Sequence, residues 1–369
     1  MKQPVKIGII GEGINSAIGK SHISAIRMDG NYSIGPCIFS YLEEANRLSH
    51  AAYGVPWVRH ARCLGEWLDH NNEKFDLVAL LTPSTEHAYH IKEIAQRGIS
   101  FITEKPVSSN LEEVQMIEAL LLDAEEVKAW FVHNYSGYPM FREMVLRLNE
   151  EKIGPIHSVR IEMPSDGFAR ERLLGRPQIW RQSDPPVPII MLDLGTHMHH
   201  LVRMAIGNSK SQVLARMKQL VNRFGVIDNV EIREERADGI LVSYWMSKAH
   251  FGSKNGLKIE IYGRDGALNW YQNNPDHLIE VDINSNRTIV NRGAVSAEAS
   301  GCDRFKAGHP VGFVEAFANF YSNLAYEICA NWDKAKSSNW IRPIEDAFDG
   351  IRFLEAAARS DNIGEWVEI

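Results

Sequence analysis

The sequence predicts an α/β protein in two parts: a doubly wound parallel sheet at the N-terminus, then an α+β domain with a large, mostly antiparallel open sheet. Three observations carry this. Short, continuous apolar runs alternate with helical stretches as far as about residue 133, the pattern of a parallel sheet covered on both faces. Beyond that point strand candidates follow one another with turns between them, which favours antiparallel or mixed pairing. At 369 residues the chain is also long for one core. The expected division is residues 1–132 and 133–369, with the last helix packing back toward the first domain.

Taken in order, Val5 to Ile10 is an apolar run closed by Gly11 and reads as a buried strand. Ser21 to Met28 reads as helix, Ile34 to Phe39 as strand, Leu42 to Ala52 as helix and Asp76 to Leu81 as strand. His87 to Arg97 is the next helix and Ile99 to Thr103 the next strand. Ser109-Asn110-Leu111-Glu112 has the form of a capping box opening a helix to about Leu122, and Lys128 to His133 closes the series. In the second part, strands are expected at Ile156 to Met163, Gln212 to Leu220, Asp228 to Arg233, Gly239 to Lys248 and Gly256 to Tyr262. Helices are expected at Gly312 to Ala330 and Pro343 to Arg359.

Composition narrows the function. The formal net charge is −7 with scattered Lys and Arg, which argues against a nucleic-acid partner. No apolar run is long enough to span a bilayer, and no secretory leader precedes the first strand, so neither membrane association nor export is expected. Cys37, Cys63, Cys302 and Cys329 are far apart and form no CxxC pair. Reduced thiols in a cytoplasmic protein are the expectation, without a metal site.

Gly11-Glu12-Gly13 follows the first strand, where a dinucleotide-binding fold needs residues without a Cβ so that a pyrophosphate can approach the backbone. The next helix N-terminus adds unpaired amides and a favourable dipole. Ile14 continues this turn, Ser16 takes the place of the usual third glycine, and Gly19 comes three residues later. The second strand ends Phe39-Ser40-Tyr41, with no carboxylate before Glu43. An acidic residue there favours NAD, so its absence leaves NAD or NADP open, with a lean toward NADP.

Further segments then fall in order. Thr82-Pro83-Ser84 follows a strand and precedes His87, Glu104-Lys105-Pro106 follows the next strand, and Asp193-Leu194-Gly195-Thr196-His197 opens a helix in the second part. Others are His133-Asn134-Tyr135, Gly137-Tyr138-Pro139-Met140, Trp180-Arg181, Asn255-Gly256-Leu257 and Gly308-His309-Pro310. Glu315-Ala316-Phe317-Ala318-Asn319 and Arg352-Phe353-Leu354-Glu355-Ala356-Ala357 complete the set. Over nearly the whole chain this set resembles the glucose–fructose oxidoreductase / inositol dehydrogenase / rhizopine catabolism (Gfo/Idh/MocA) family.

The resemblance implies an N-terminal Rossmann domain, a sugar, sugar-derivative or cyclitol substrate, and a homodimer or homotetramer built on the open sheet. It implies that Lys105 approaches the reacting hydroxyl and that Asp193 and His197 line the same cleft. Cofactor contacts would fall on Gly11, Gly13, Ile14, Ser40, Thr82, Pro83, His87, Glu104, Lys105, Asn134 and Arg181. Substrate contacts would fall on Lys105, Tyr138, Trp180, Asp193, His197, His200 and His309. The chain departs from the family at His200, where an Asp is common, and at Asp184-Pro185-Pro186-Val187-Pro188, where a glycine-rich run is common. Both changes leave the substrate's identity open.

The chemistry of the residue types agrees. Oxidising a secondary alcohol to reduce a nicotinamide requires removal of the hydroxyl proton. His197 suits a general base, Asp193 four residues earlier can orient it, and the Lys105 cation can stabilise alkoxide character. Plainer roles stand beside these: Lys105 as a surface cation, Asp193 as a helix N-cap, His197 as a buried structural histidine, Arg181 packed on Trp180, and Asn134 and Tyr138 as packing residues. His197, His199, His200 and Asp193 also raise a metal reading, which hydride transfer does not require. Two other functions share this architecture: a glycosidase that oxidises C3 transiently with retained NAD, and a ligand sensor without catalysis.

Overall fold

The computed structural model describes residues 3–369 apart from 17, 57–62, 72–73, 171–172, 174, 176–180, 297–301 and 330–339. It divides into two compact units, Met1–Gly137 with Phe313–Phe348, and Tyr138–Gly312 with Asp349–Ile369.

In the first unit, β1 (Val5–Gly11), β2 (Tyr32–Ile38), β3 (Leu77–Leu81), β4 (Phe101–Thr103) and β5 (Ala129–Phe131) form one sheet in the order β2-β1-β3-β4-β5. Every pairing in it is parallel. Leu77, Val78, Ala79 and Leu80 are all 0% exposed, as a central strand covered on both faces requires. Each fully buried leucine or valine of this kind contributes about 1.5–3 kcal/mol of apolar transfer. The helices are α1 (Gly19–Met28), α2 (Glu43–Tyr53), α3 (Leu64–Asn71), α4 (His87–Ala95) and α5 (Leu111–Asp123). The later helix Phe313–Ile328 joins the core through Phe317, Ala318, Phe320, Tyr321 and Leu324.

Two local readings need correction. The helix α5 is capped by Asn110, whose Oδ1 accepts from the Glu113 amide at 2.9 Å. Ser108 Oγ accepts from the Asn110 amide at 3.1 Å and donates to the Glu113 carboxylate at 2.7 Å, so the cap falls one residue after Ser109 and is linked to Glu113 through Ser108. Helix α3 was not anticipated, because Gly65 and the polar run Asp69-His70-Asn71 dilute its apolar stripe.

In the second unit, helix α6 (Pro139–Asn149) precedes a nine-stranded sheet. Its strands are β6 (Ile156–Pro164), β7 (Ser211–Lys218), β8 (Asn229–Arg236), β9 (Leu241–Ser247), β10 (Lys258–Gly263), β11 (Ala267–Tyr271), β12 (His277–Val281), β13 (Arg287–Asn291) and β14 (Val367–Glu368). The order is β13-β12-β11-β10-β6-β9-β8-β7-β14. The β6–β9 pair is parallel and the others are antiparallel, so the large, mostly antiparallel sheet is present. Alternating burial along β8 shows one covered and one open face. Helix α7 (Thr196–Ile206) is almost wholly buried, as is most of the π-helical turn Met191–Gly195 that leads into it. The last helix runs Glu345–Ile363.

Candidate active site

The first unit presents its functional residues along the carboxyl edge of the parallel sheet. Register aligns Gly11 with Leu81 and Leu80 with Thr103, so the residues after β1, β3 and β4 emerge side by side. The chain order reverses between β1 and β3, which is where open α/β sheets collect ligands.

Gly11 has φ +93°, and a Cβ there would lie 2.7 Å from the Leu81 carbonyl oxygen. A Cβ at Gly13 would meet Ser49 Oγ at 3.1 Å, while Ser49 Oγ accepts from the Ile14 amide at 3.0 Å. The role foreseen for a third glycine falls on Gly19, whose Cβ would approach the Glu12 carbonyl to 2.6 Å. Ser16 instead offers Oγ to the amides of Ile18 and Gly19 at 3.2 and 3.4 Å. Ser40 Oγ accepts from the Leu42 amide at 3.1 Å and closes the turn after β2.

The loops after β3 and β4 are held by buried polar side chains. His87 is fully buried, with Nδ1 2.8 Å from the Pro106 carbonyl and Nε2 2.9 Å from the Thr82 carbonyl. Burial holds its pKa below the ordinary histidine value, against the raising effect of those carbonyls. His87 thus braces the two loops from beneath. Pro83 starts the short turn before α4, and Thr82 Oγ1 meets His90 Nδ1 at 2.9 Å. His90 Nε2 in turn meets Tyr41 Oη at 2.7 Å.

Glu104 is 8% exposed and its Oε1 lies 2.9 Å from His22 Nε2, while Tyr321 Oη lies 2.7 Å from His22 Nδ1. Its Oε2 accepts from the Lys105 amide at 3.0 Å. Burial alone would raise the Glu104 pKa, but the His22 hydrogen bond and charge, with the Lys105 charge, bring it below the usual carboxylate value. Lys105 therefore leaves the sheet edge beside a fixed anion. Its bond to Pro106 is cis. Asn134, which is 2% exposed, precedes a 3-10 turn fixed by Gly137 donating to the Asn134 carbonyl at 2.9 Å. Its Nδ2 is a buried donor without a hydrogen-bond partner among the described residues. A glycine cradle that a Cβ would fill, with an orphaned buried donor near the end of β5, fits a dinucleotide.

In the second unit the centre is Asp193. It is not a helix cap, because the helical turn begins before it and Asp184 Oδ1 receives the Ile189 amide at 2.9 Å. Asp193 Oδ2 instead takes Arg181 Nη1 and Lys248 Nζ, each at 2.5 Å. Lys248, at the end of β9, is 8% exposed and also lies over the Phe168 ring at 5.2 Å. The sequence places a strand ending at Lys248 but gives the lysine no role; a cation at a strand end was the available signal. Arg181 belongs with Asp193 in the second unit, through this ion pair.

His197 and His200 are 7% and 6% exposed on α7. His199 faces elsewhere, accepting from Arg203 Nε at 3.1 Å beside Phe353. Arg203 is further tied to Glu234 at 2.7 Å. Tyr138 is 2% exposed and packs on Trp270 at 5.4 Å. His309 is exposed, with Nδ1 3.3 Å from the Lys306 carbonyl, in a loop pinned by Arg292. Trp180 lies outside the described residues. No group of three or more His, Cys, Asp or Glu able to hold a metal occurs among the described residues.

Residues 5–132 match the oxidoreductase family with an NAD-binding Rossmann fold, and residues 141–269 match the GFO/IDH/MocA C-terminal domain. The chain belongs to the Gfo/Idh/MocA family. Its Rossmann half is that family's NAD-binding domain. Among solved structures, it is similar to an oxidoreductase from Sinorhizobium meliloti, with 26% identity, TM-score 0.87, and 99% of this chain and 100% of the other covered. It is also similar to an inositol dehydrogenase homologue from Azotobacter vinelandii solved with NADH and myo-inositol, at 24% identity and TM-score 0.89, covering 100% and 98%. A levoglucosan dehydrogenase solved with NADH and levoglucosan shares 19% identity and TM-score 0.84, with both chains fully covered. As a Gfo/Idh/MocA protein, the chain has both sheets of that architecture. No helix among the described residues is long and apolar enough to cross a membrane.

Proposed function

We propose that the protein is a dehydrogenase that transfers a hydride between a nicotinamide cofactor, NAD or NADP, and a secondary hydroxyl of a sugar, sugar derivative or cyclitol. The observation that carries this reading is the alignment of Gly11 with the ends of β3 and β4, which brings Lys105 out beside the glycine cradle. Family membership and the myo-inositol and levoglucosan complexes of the similar structures support the substrate class.

The cofactor, when bound, would accept or return the hydride. The backbone of the Gly11–Gly13 cradle would hold its diphosphate, and the Asn134 side-chain amide would donate to the cofactor further along the sheet edge. The Lys105 ammonium binds the substrate hydroxyl and stabilises negative charge on that oxygen as its proton leaves. In the second unit, His197 has the chemistry of a general base for such a proton. Asp193, fixed between Arg181 and Lys248, binds a substrate hydroxyl and sets the field around the imidazole. The polyol partner, a cytoplasmic setting and assembly into dimers or tetramers through the open sheet follow from the same reading.

The test is a spectrophotometric screen of cyclitols, aldoses, glycosides and nucleotide sugars with NAD and NADP in parallel. The reading expects reduced nicotinamide to accumulate with at least one polyol. Release of aglycone with retained cofactor and no accumulation would replace it with the glycosidase reading.

A further inference from the structure

Glu12 occupies the middle of the glycine cradle and is not accounted for by the function above. It has φ +57°, a left-handed conformation that turns its side chain toward α1. A Cβ at Gly19, the first residue of that helix, would lie 3.1 Å from Glu12 Cβ, while Ser16 Oγ takes the Ile18 and Gly19 amides. The second carboxyl oxygen, Oε2, is buried with no hydrogen-bond partner among the described residues. A chain carboxyl thus stands at the helix N-terminus where a dinucleotide's diphosphate is expected.

We propose that Glu12 is a diphosphate-binding residue that acts as a neutral acid, so that dinucleotide binding weakens as that acid ionises. The protonated group donates from its otherwise unpaired oxygen to a phosphate oxygen. The ionised group would place a third negative charge against the diphosphate. This inference rests on the cofactor reading given above.

The surroundings favour the acid form. Burial, and then the charge of Glu104, raise the Glu12 pKa to about 8, against the lowering effect of the Gly19 and Ile18 amides. Glu104, at the end of β4, keeps its own charge through His22 from α1 and the adjacent Lys105, so of the two carboxyls it is Glu12 that takes the proton. From α2, Tyr53 Oη donates toward the Glu12 and Gly13 carbonyls at 3.3 and 3.2 Å, and its pKa is raised by burial and by Glu12, so it remains a neutral phenol.

The experiment measures the affinity of the intact chain for NADH by fluorescence, and for ADP-ribose by competition, from about pH 6.5 to about pH 9.5. Wild type is compared with Glu12→Gln and with Glu12→Gly, which adopts the positive φ freely and guards against a misfolded loop. Wild-type affinity for both ligands should be level below about pH 8 and fall about tenfold per pH unit above it. Both variants should be flat across the range, and Glu12→Gln should bind about tenfold more tightly than wild type near pH 9. A slope shared by wild type and Glu12→Gln overturns the proposal while leaving the cofactor reading intact. Failure of every form to bind NADH or ADP-ribose at any pH overturns both.

Discussion

His22 and Glu104 meet through a 2.9 Å contact between Nε2 and Oε1, across 82 positions of the chain. Tyr321 completes the imidazole from its other side at 2.7 Å. The imidazole thus has a partner at each nitrogen, the carboxylate at Nε2 and the phenol at Nδ1. The arrangement fixes the residue immediately before Lys105. His22→Ala would leave a buried carboxylate without its main partner, at a cost of about 3–5 kcal/mol in stability. Urea denaturation checks this, and His22→Gln, which retains an amide donor, should recover part of the loss.

Lys105→Ala should reduce turnover close to background while NADH still binds with near wild-type affinity, because the cradle and its amides are untouched. Steady-state kinetics and a fluorescence titration separate the two effects. Unchanged turnover would remove Lys105 from the mechanism.

Lys248→Met removes one of the two cations that fix Asp193. The carboxylate gains a rotational choice, and a misplacement of this kind costs about a hundredfold in kcat/KM. NADH affinity should be unchanged. A loss confined to NADH affinity, with kcat/KM at saturating cofactor intact, would show that this cluster does not serve the substrate.

Acid sensitivity should depend on His90. Burial, and then the charge of His87, lower its pKa to about 4, so it is folded as a neutral ring between Tyr41 and Thr82. In the unfolded chain it takes up a proton below its ordinary value near 6.5. The unfolded state therefore binds more protons between those limits, and stability falls as pH drops through that window. His90→Gln should flatten the decline, read from denaturation midpoints at about pH 7 and about pH 5. A decline as steep as that of wild type would assign the acid sensitivity to other groups.

Much of this was legible in the sequence, and the exceptions have physical causes. Gly11 and Lys105 stand out in the sequence because each follows a strand with a strong apolar signature. Strand β13 had no such signature, since only Val290 of its five residues is buried and the rest carry no alternation. The partner of Asp193 was hidden because Lys248 lies 55 positions away, and a long-range ion pair leaves no local pattern. The burial of His87 and Tyr138 was hidden too, because a motif fixes where a residue falls along the chain and not which way its side chain turns. The acidic character of the cradle at Glu12 was visible as a letter, but its chemistry depends on Glu104, 92 positions later.

Hydride transfer is the claim on which the rest depends, and deuterium tests it most directly. The polyol identified in the screen would be labelled at its carbinol carbon and incubated with the oxidised cofactor, and the reduced nicotinamide examined by mass spectrometry. The account predicts that the reduced ring carries the deuterium, and that Lys105→Ala abolishes the transfer. Label retained in the sugar or released to water, with the nicotinamide unlabelled, would contradict it.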